Sequence, residues 1–346
     1  MHLGQNVGMA DTRPQARDFG GSGPWVGLSD TQRAIVLALL RHGRLSRPEI
    51  MKLVGISPGS ITRLTTPLVD NGILMARTER TACTGRPQSP LEVRADAESI
   101  IGVNLSGESL IAVLADLHLN VLATARRTLP GHAPADVVAS LTDAAIELTR
   151  SRPDAPAPSC ASVSLGAAAT DERTVTDAVF LGWHRVPLAE LVKTRLRMPT
   201  AVGNDLAAMT LQEAWFGAGR EHDRLVLITV GAGIGFGLVV GGEVITTPDA
   251  ELGLVGGIPV ADDGRPATSL PAMDCLTSPA IERAWSGQGR PPLPAARVVD
   301  LAKRGEAAAV AICSSYARRV GRLIAMAAAF ALPDVVVVAG ERAEAA

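Results

Sequence analysis

From Ser99 onward, strand patterns and helix patterns alternate, and they do so in two successive sets. Ile100 to Leu105, Leu110 to Asp116 and Val121 to Arg127 read as three consecutive strands, with Asn120 at the turn between the last two. Val137 to Leu148 reads as a helix, and a Pro/Ala seam at Ala155 to Pro158 precedes a strand at Ala161 to Leu165. The second set opens with a strand at Leu225 to Val230. It passes through the Gly-rich run Gly231 to Gly237 and continues as a strand from Ile234 to Val240. An Ala-rich helix from about Glu306 to Ala331 then leads into a strand at Val335 to Ala339. Two β-rich halves surrounded by helices restrict this part of the chain to a two-lobed α/β architecture. With five Phe, four Trp and one Tyr among 346 residues, its cores must be built from Leu, Val, Ile and Ala.

Ahead of that body the pattern is helical. Residues 1–28 are rich in Gly, Pro and polar residues without periodicity, and read as a disordered arm. Between Asp30 and His42 the apolar positions Ile35, Val36, Leu39 and Leu40 recur at helical spacing, and Gly43 ends the run. Ser46 and Glu49 form a capping box, with Pro48 tolerated in the first turn of a short helix through Leu53. Gly55 supplies a turn. Ser57 and Pro58 cap a third helix whose Ile61, Leu64, Leu68 and Val69 face inward until Asn71 and Gly72 stop it. Two short strands, Ile73 to Arg77 and Leu91 to Arg94, joined through Thr84-Gly85-Arg86-Pro87, complete a winged helix-turn-helix.

Residues 29–97 are therefore expected to be a DNA-binding domain, and 98–346 a two-lobed sensor. The third helix would enter a major groove and the hairpin a neighbouring backbone or minor groove. Ser57, Gly59, Ser60, Thr62 and Arg63 are the expected contacts of that helix, with Thr66 also outward. Arg63 suits a guanine edge, and Arg86, between Gly85 and Pro87, suits a narrow groove. Charge follows the same division. Residues 29–97 carry ten Lys plus Arg against six Asp plus Glu, whereas the chain after them carries 21 against 27. A basic module on an acidic body fits a DNA reader with a separate sensing part. The competing reading is a three-helix module that packs on protein or dimerises.

No apolar run is long enough to cross a bilayer and no N-terminal signal pattern is seen, so no membrane partner is expected. Cys83, Cys160, Cys275 and Cys313 are scattered and form no CxxC pair, which fits a reducing cytoplasm.

Five motifs in order carry a resemblance. They are the GRP of the wing at Gly85 to Pro87, LGWHRVPL at Leu181 to Leu188, GNDLAA at Gly203 to Ala208, EAWFGAGR at Glu213 to Arg220 and VGAGIGFGLVVGGEV at Val230 to Val244. From about Leu28 the chain resembles the ROK family (repressor, open reading frame, kinase), in its transcriptional-regulator branch. The resemblance implies a winged helix joined to duplicated actin-like ATPase (ribonuclease H-like) domains, C-terminally short here, with a sugar in the cleft. Family members normally continue for some tens of residues past a strand like Val335 to Ala339.

In kinase members the Asp of an Asn-Asp pair takes a proton from a sugar hydroxyl, and Asn204-Asp205 occupies that place here. The same carboxylate can bind a hydroxyl without chemistry. The Asp-x-Gly-Gly-Thr turn of the kinases is replaced by Asn104-Leu105-Ser106-Gly107-Glu108. Asn104 is neutral, and Glu108 is expected to set a negative charge where phosphate approaches. At an effective dielectric of about 20, like charges about 4 Å apart repel by about 4 kcal/mol. Phe236 replaces a glycine of the second turn and would obstruct a nucleotide, and Gly231 to Gly237 is read rather as a tight β-turn between paired strands. Kinase activity and an ATP cofactor are therefore not expected.

Nor is zinc. The family's metal-binding His falls on Leu254 or Gly257, and Cys275 alone remains of the cysteines. Of the family's sugar contacts Asn204, Asp205 and Glu251 persist, while Thr277 stands in place of a second Glu. The alternative for Asn204 and Asp205 is that they cap the helix running to Phe216. The expected protein is a homodimeric regulator, by default a repressor, that binds operator DNA and responds to a sugar or sugar-derivative effector. Its rivals are an ATP-dependent sugar kinase with an added DNA module and a ligand-independent DNA-binding protein.

Overall fold

Three helices open the chain in the computed structural model, which describes residues 27–76, 89–246, 254–261, 269–341 and 343. Each is started by a serine. Ser29 and Gln32 exchange hydrogen bonds at the head of α1 (Asp30–His42). The Ser46 amide donates to Glu49 Oε2 at 2.7 Å at the head of α2 (Arg47–Val54), so the capping box forms as its sequence requires. Ser57 precedes α3 (Pro58–Asp70). Strands β1 (Leu74–Ala76) and β2 (Leu91–Val93) pair antiparallel and close a core of Ile35, Val36, Ile50, Ile61, Leu68 and Leu91. Thr65 joins that core unexpectedly. Its hydroxyl donates to the Ile61 carbonyl at 2.8 Å, which satisfies a polar group buried in mid-helix.

The first lobe begins with an antiparallel meander of β3 (Ser99–Leu105), β4 (Ser109–Asp116) and β5 (Val121–Thr128). Helix α4 (Pro134–Ser151) crosses to β6 (Pro158–Leu165), which lies parallel to β3. A small antiparallel sheet of β7 (Ala168–Thr170), β8 (Thr174–Ala178) and β9 (Trp183–Val186) follows. Helix α5 (Leu188–Leu196) then leads to β10 (Thr200–Asn204), parallel to β6, giving the main sheet the order β10-β6-β3-β4-β5. Val137, Leu141 and Leu148 of α4 pack on Val103, Leu110 and Leu114.

Helix α6 (Asp205–Trp215) passes into the second lobe, where β11 (Arg224–Val230), β12 (Ile234–Val240) and β13 (Glu243–Val244) form a second meander. A hairpin of β14 (Pro259–Val260) and β15 (Leu270–Pro271) precedes the short α7 (Ala272–Cys275), then α8 (Ser278–Ser286) and α9 (Ala295–Lys303). The long helix α10 (Ala307–Ala331) is capped by Glu306, whose carboxylate accepts from the Ala308 amide at 2.8 Å. It delivers β16 (Val335–Ala339) parallel to β11, and the sheet order is β13-β12-β11-β16. Each lobe thus has a three-stranded meander followed by a strand parallel to its first member. That repetition is the duplicated actin-like fold, preceded by a winged helix-turn-helix. The Pro/Ala seam is shorter than its sequence implied, because Pro158 already starts β6.

Candidate functional site

Between the two lobes lies a cleft of about 1680 Å³. Asn104, Ser106, Ser162, Ser164 and Asp205 line its first-lobe side, and Gly231 to Phe236 with Leu323 and Met326 line the other. Asn104 Nδ2 donates to Ser164 Oγ at 3.3 Å. Ser162 and Ser164 alternate on β6 and so present hydroxyls to one face; that alternation was the available sequence signal, and it was missed.

Asn204, 9% exposed, is first a helix cap. Its Oδ1 accepts from the amides of Leu206 (2.9 Å) and Ala207 (3.1 Å), and its Nδ2 donates to the Ala167 carbonyl at 3.3 Å. Asp205 differs. One carboxylate oxygen accepts from the Leu206 amide at 2.8 Å, while the other faces Gly166 at the cleft wall. Burial pushes the Asp205 carboxyl above the ordinary carboxylate range, against the opposing pull of the backbone N–H groups. A partly desolvated carboxylate of this kind can accept a ligand hydroxyl. Glu251 lies outside the described residues.

One expectation is corrected here. Glu108 is exposed and does not line the cleft, so the repulsion expected from it is not set at the phosphate approach; the change that faces the cleft is the neutral Asn104. Thr277, which stands where the family has a second Glu, is buried at the start of α8, where its hydroxyl donates to the Met273 carbonyl at 3.0 Å, and it does not line the cleft. Phe236 does line the cleft. Cys275 is half-buried with its thiol 3.3 Å from the Pro271 carbonyl. Among the described residues no three His, Cys, Asp or Glu come together as a metal site.

The Gly-rich run divides into two jobs. Gly231 to Gly233 form the turn between β11 and β12, closed by the Gly231 amide on the Gly233 carbonyl at 3.0 Å. Gly235 and Gly237 instead let α6 approach the sheet. A Cβ on Gly235 would stand 3.0 Å from the Leu206 side chain, and one on Gly237 would stand 2.0 Å from Thr210 Oγ1.

On the winged helix, Ser57, Gly59, Thr62, Arg63 and Thr66 are exposed. Ser60 is half-buried, its Oγ 3.1 Å from that of Ser57. Lys52 on α2 is an exposed cation that sequence reasoning passed over. Arg86 lies outside the described residues.

The winged helix touches both lobes. After α6 ends at Trp215, whose ring lies 6.4 Å from that of Phe216, the chain folds back over Glu213. The Ala218 amide donates to Glu213 Oε2 at 3.1 Å, and neither Gly217 nor Gly219 has room for a Cβ. This turn aims Arg220 at the winged helix, where its Nε donates to the Arg41 carbonyl at 3.1 Å. The Arg41 guanidinium in turn lies where a Cβ of Gly242 would be. Between these cations the His42 imidazole is held below its ordinary range, by burial first and then by Arg41 and Arg220. From the first lobe, Leu117 packs on the winged-helix core and donates its amide to the Ala95 carbonyl at 3.1 Å. A ring nitrogen of His118 stands 3.0 Å from the Val93 carbonyl.

Residues 100–345 match the ROK family over the whole two-lobed body. The chain belongs to the ROK family. Residues 28–75 also match the family described as winged helix-turn-helix DNA-binding. Among ROK relatives, the xylose repressor of Caldicellulosiruptor bescii is 26% identical over 264 residues, 74% of this chain. The match spans 65% of that repressor and 63% of a second Caldicellulosiruptor relative, just under two thirds of either. The DNA-binding transcriptional dual regulator NagC of Escherichia coli is 24% identical over 333 residues, 90% of this chain and 80% of NagC. The glucokinase of Thermotoga maritima is 31% identical over 189 residues, 52% of this chain and 56% of the kinase. Among solved structures, a ROK family transcriptional regulator described as a homolog of E. coli MLC superposes with a TM-score of 0.75 at 22% identity. It covers 91% of this chain and 84% of its own. A ROK family glucokinase from Streptomyces griseus in complex with glucose and AMPPNP gives 0.59 at 23% identity, over 70% and 83%. Both likenesses concern the fold.

Proposed function

We propose that this ROK protein is a DNA-binding transcription regulator, a repressor, whose cleft binds a sugar or sugar derivative without phosphorylating it. The carrying observation is the attachment of the winged helix to both lobes, through Arg220 on one and Leu117 and His118 on the other. Any ligand that changes the lobe angle must then move the DNA-reading head or strain its contacts. Such a ligand acts only through its differential affinity for the two arrangements.

In this reading residues 29–97 are the reader and 98–346 the sensor. Ser57, Gly59, Ser60, Thr62, Arg63 and Arg86 meet DNA, and Asn204, Asp205 and Glu251 meet the ligand. Two copies act as a homodimer on a two-fold repeated operator. A second reading, a sugar kinase, draws on the retained Asp205 and the likeness to glucokinases; the neutral Asn104 in the cleft counts against it.

The test is binding of the purified chain to the DNA upstream of its own gene at several salt concentrations, with and without a panel of sugars. Tight, salt-dependent binding to one fragment over a scrambled control, released by one sugar, is the expected result. Equal binding to every fragment, or ADP formation with any sugar and ATP, would overturn it.

A further inference from the structure

The chemistry of the cleft wall narrows the effector, given the reading of the cleft as an effector site. Among the described residues that line it there is no Lys, Arg or His; its ionisable side chains are the carboxylates of Asp205 and Glu341. Several backbone donors near it are occupied as well. The first amides of α6, on Leu206 and Ala207, are taken by Asn204 and Asp205. The Ser106 amide donates to the Ser109 carbonyl at 2.9 Å, and the Gly231 amide to the Gly233 carbonyl at 3.0 Å. A phosphate placed here would meet the partly buried Asp205 carboxylate, with no Lys, Arg or His beside it among the described lining residues.

Much of the remaining wall is apolar, and its position relative to Asp205 is set by secondary structure. Met209 lies one helical turn beyond Asp205 on α6, so the thioether and the carboxylate share the cleft face. Ile234 and Phe236 project from the face of β12 opposite to the one that Gly235 and Gly237 give to α6. Met209 is 38% exposed and Phe180, also on the cleft wall, is 39% exposed, so both offer apolar surface to an occupant. Flexible thioether and aromatic groups beside a few hydroxyls and one carboxylate suit a ligand with two unlike ends.

We propose that the effector is a non-anionic glycoside. Its sugar hydroxyls meet Asp205, Ser162 and Asn104, and its apolar aglycone packs on Met209 and Phe236. Sugar phosphates are disfavoured by the partly desolvated Asp205 carboxylate. The hydroxyl end fixes orientation, and the aglycone supplies most of the buried apolar area.

The experiment is calorimetric titration of the full chain with glucose, xylose and N-acetylglucosamine, the 6-phosphates of the two hexoses, and the phenyl glycosides of all three, with phenol as control. One phenyl glycoside is expected to bind at least tenfold tighter than its free sugar, the 6-phosphates more weakly than the free sugars, and phenol not at all. Met209→Gln is expected to bring the affinity for that phenyl glycoside down to that of its free sugar. A 6-phosphate that binds as well as its free sugar, or a glycoside that gains nothing over it, overturns this proposal. Should that phosphate also release operator DNA, the sensor reading stands and only the effector class falls. No heat with any compound sinks both.

Discussion

Asp205 keeps a carboxylate where burial disfavours its charge. A carboxyl whose folded pKa is raised is best tolerated when protonated, so stability is greatest below the ordinary carboxylate range and falls as pH rises through the folded value. Asp205→Asn retains an oxygen for the Leu206 amide and drops the charge. It should raise the thermal midpoint at neutral pH by about 1–3 °C, with the gap closing in acid, as melts across the pH range would show. The same variant should lose sugar-dependent release of DNA, which would mark the residue as kept for binding at a cost in stability. Arg63→Ala belongs to the other end of the molecule. It should weaken operator binding by about 1–3 kcal/mol in a gel-shift or anisotropy titration and leave the melting midpoint alone. Local chemistry made part of this legible. An Asn-Asp pair ahead of a helical run announces a cap, and Asn204 is one. The outward direction of Glu108 was not legible, because a turn's sequence does not say which of its side chains meets the cleft.

At the scale of elements, the run Gly231 to Gly237 shows how much a motif conceals. Its strand-turn-strand form follows from alternating apolar residues around glycines. The helix that crosses its face cannot be read locally, since α6 precedes β12 and the contact depends on how the sheet is built. Gly237→Ala should therefore cost about 1–3 kcal/mol in chemical denaturation, because Thr210 is buried and its hydroxyl is tied to the Leu206 carbonyl at 2.7 Å. Gly233→Ala, in the same motif with open space around it, should be nearly silent. Long periodic elements such as α10 were legible to within a residue, with Glu306 as cap. The β7–β9 sheet and helices α8 and α9 were not: they are short and interrupted by Gly and Pro, too brief for periodicity to register.

For the whole molecule, the two-lobed body and its reader followed from one change of pattern near Ser99. Their mutual docking did not, since Arg41, Leu117 and Arg220 are far apart in sequence and carry no sign of one another. Arg220→Ala removes the hydrogen bond to the Arg41 carbonyl while sparing the cleft and the DNA face. It should leave sugar affinity and sugar-free DNA affinity within about twofold and cut the ratio of DNA affinities without and with effector by about fivefold or more. Paired DNA titrations check this. Trp215 adds a practical dividend. Trp183 is buried with its indole N–H on the His132 carbonyl, and Trp285 lies under the Arg290 guanidinium. Trp215 instead ends α6, which begins at Asp205 of the cleft and touches α1 of the winged helix, so in a chain whose other three tryptophans are changed to Phe its fluorescence reports that joint without a label. Stopped-flow traces at rising ligand concentration can then tell whether the lobes move before the ligand arrives or after it, a matter of sequence in time that no equilibrium titration addresses.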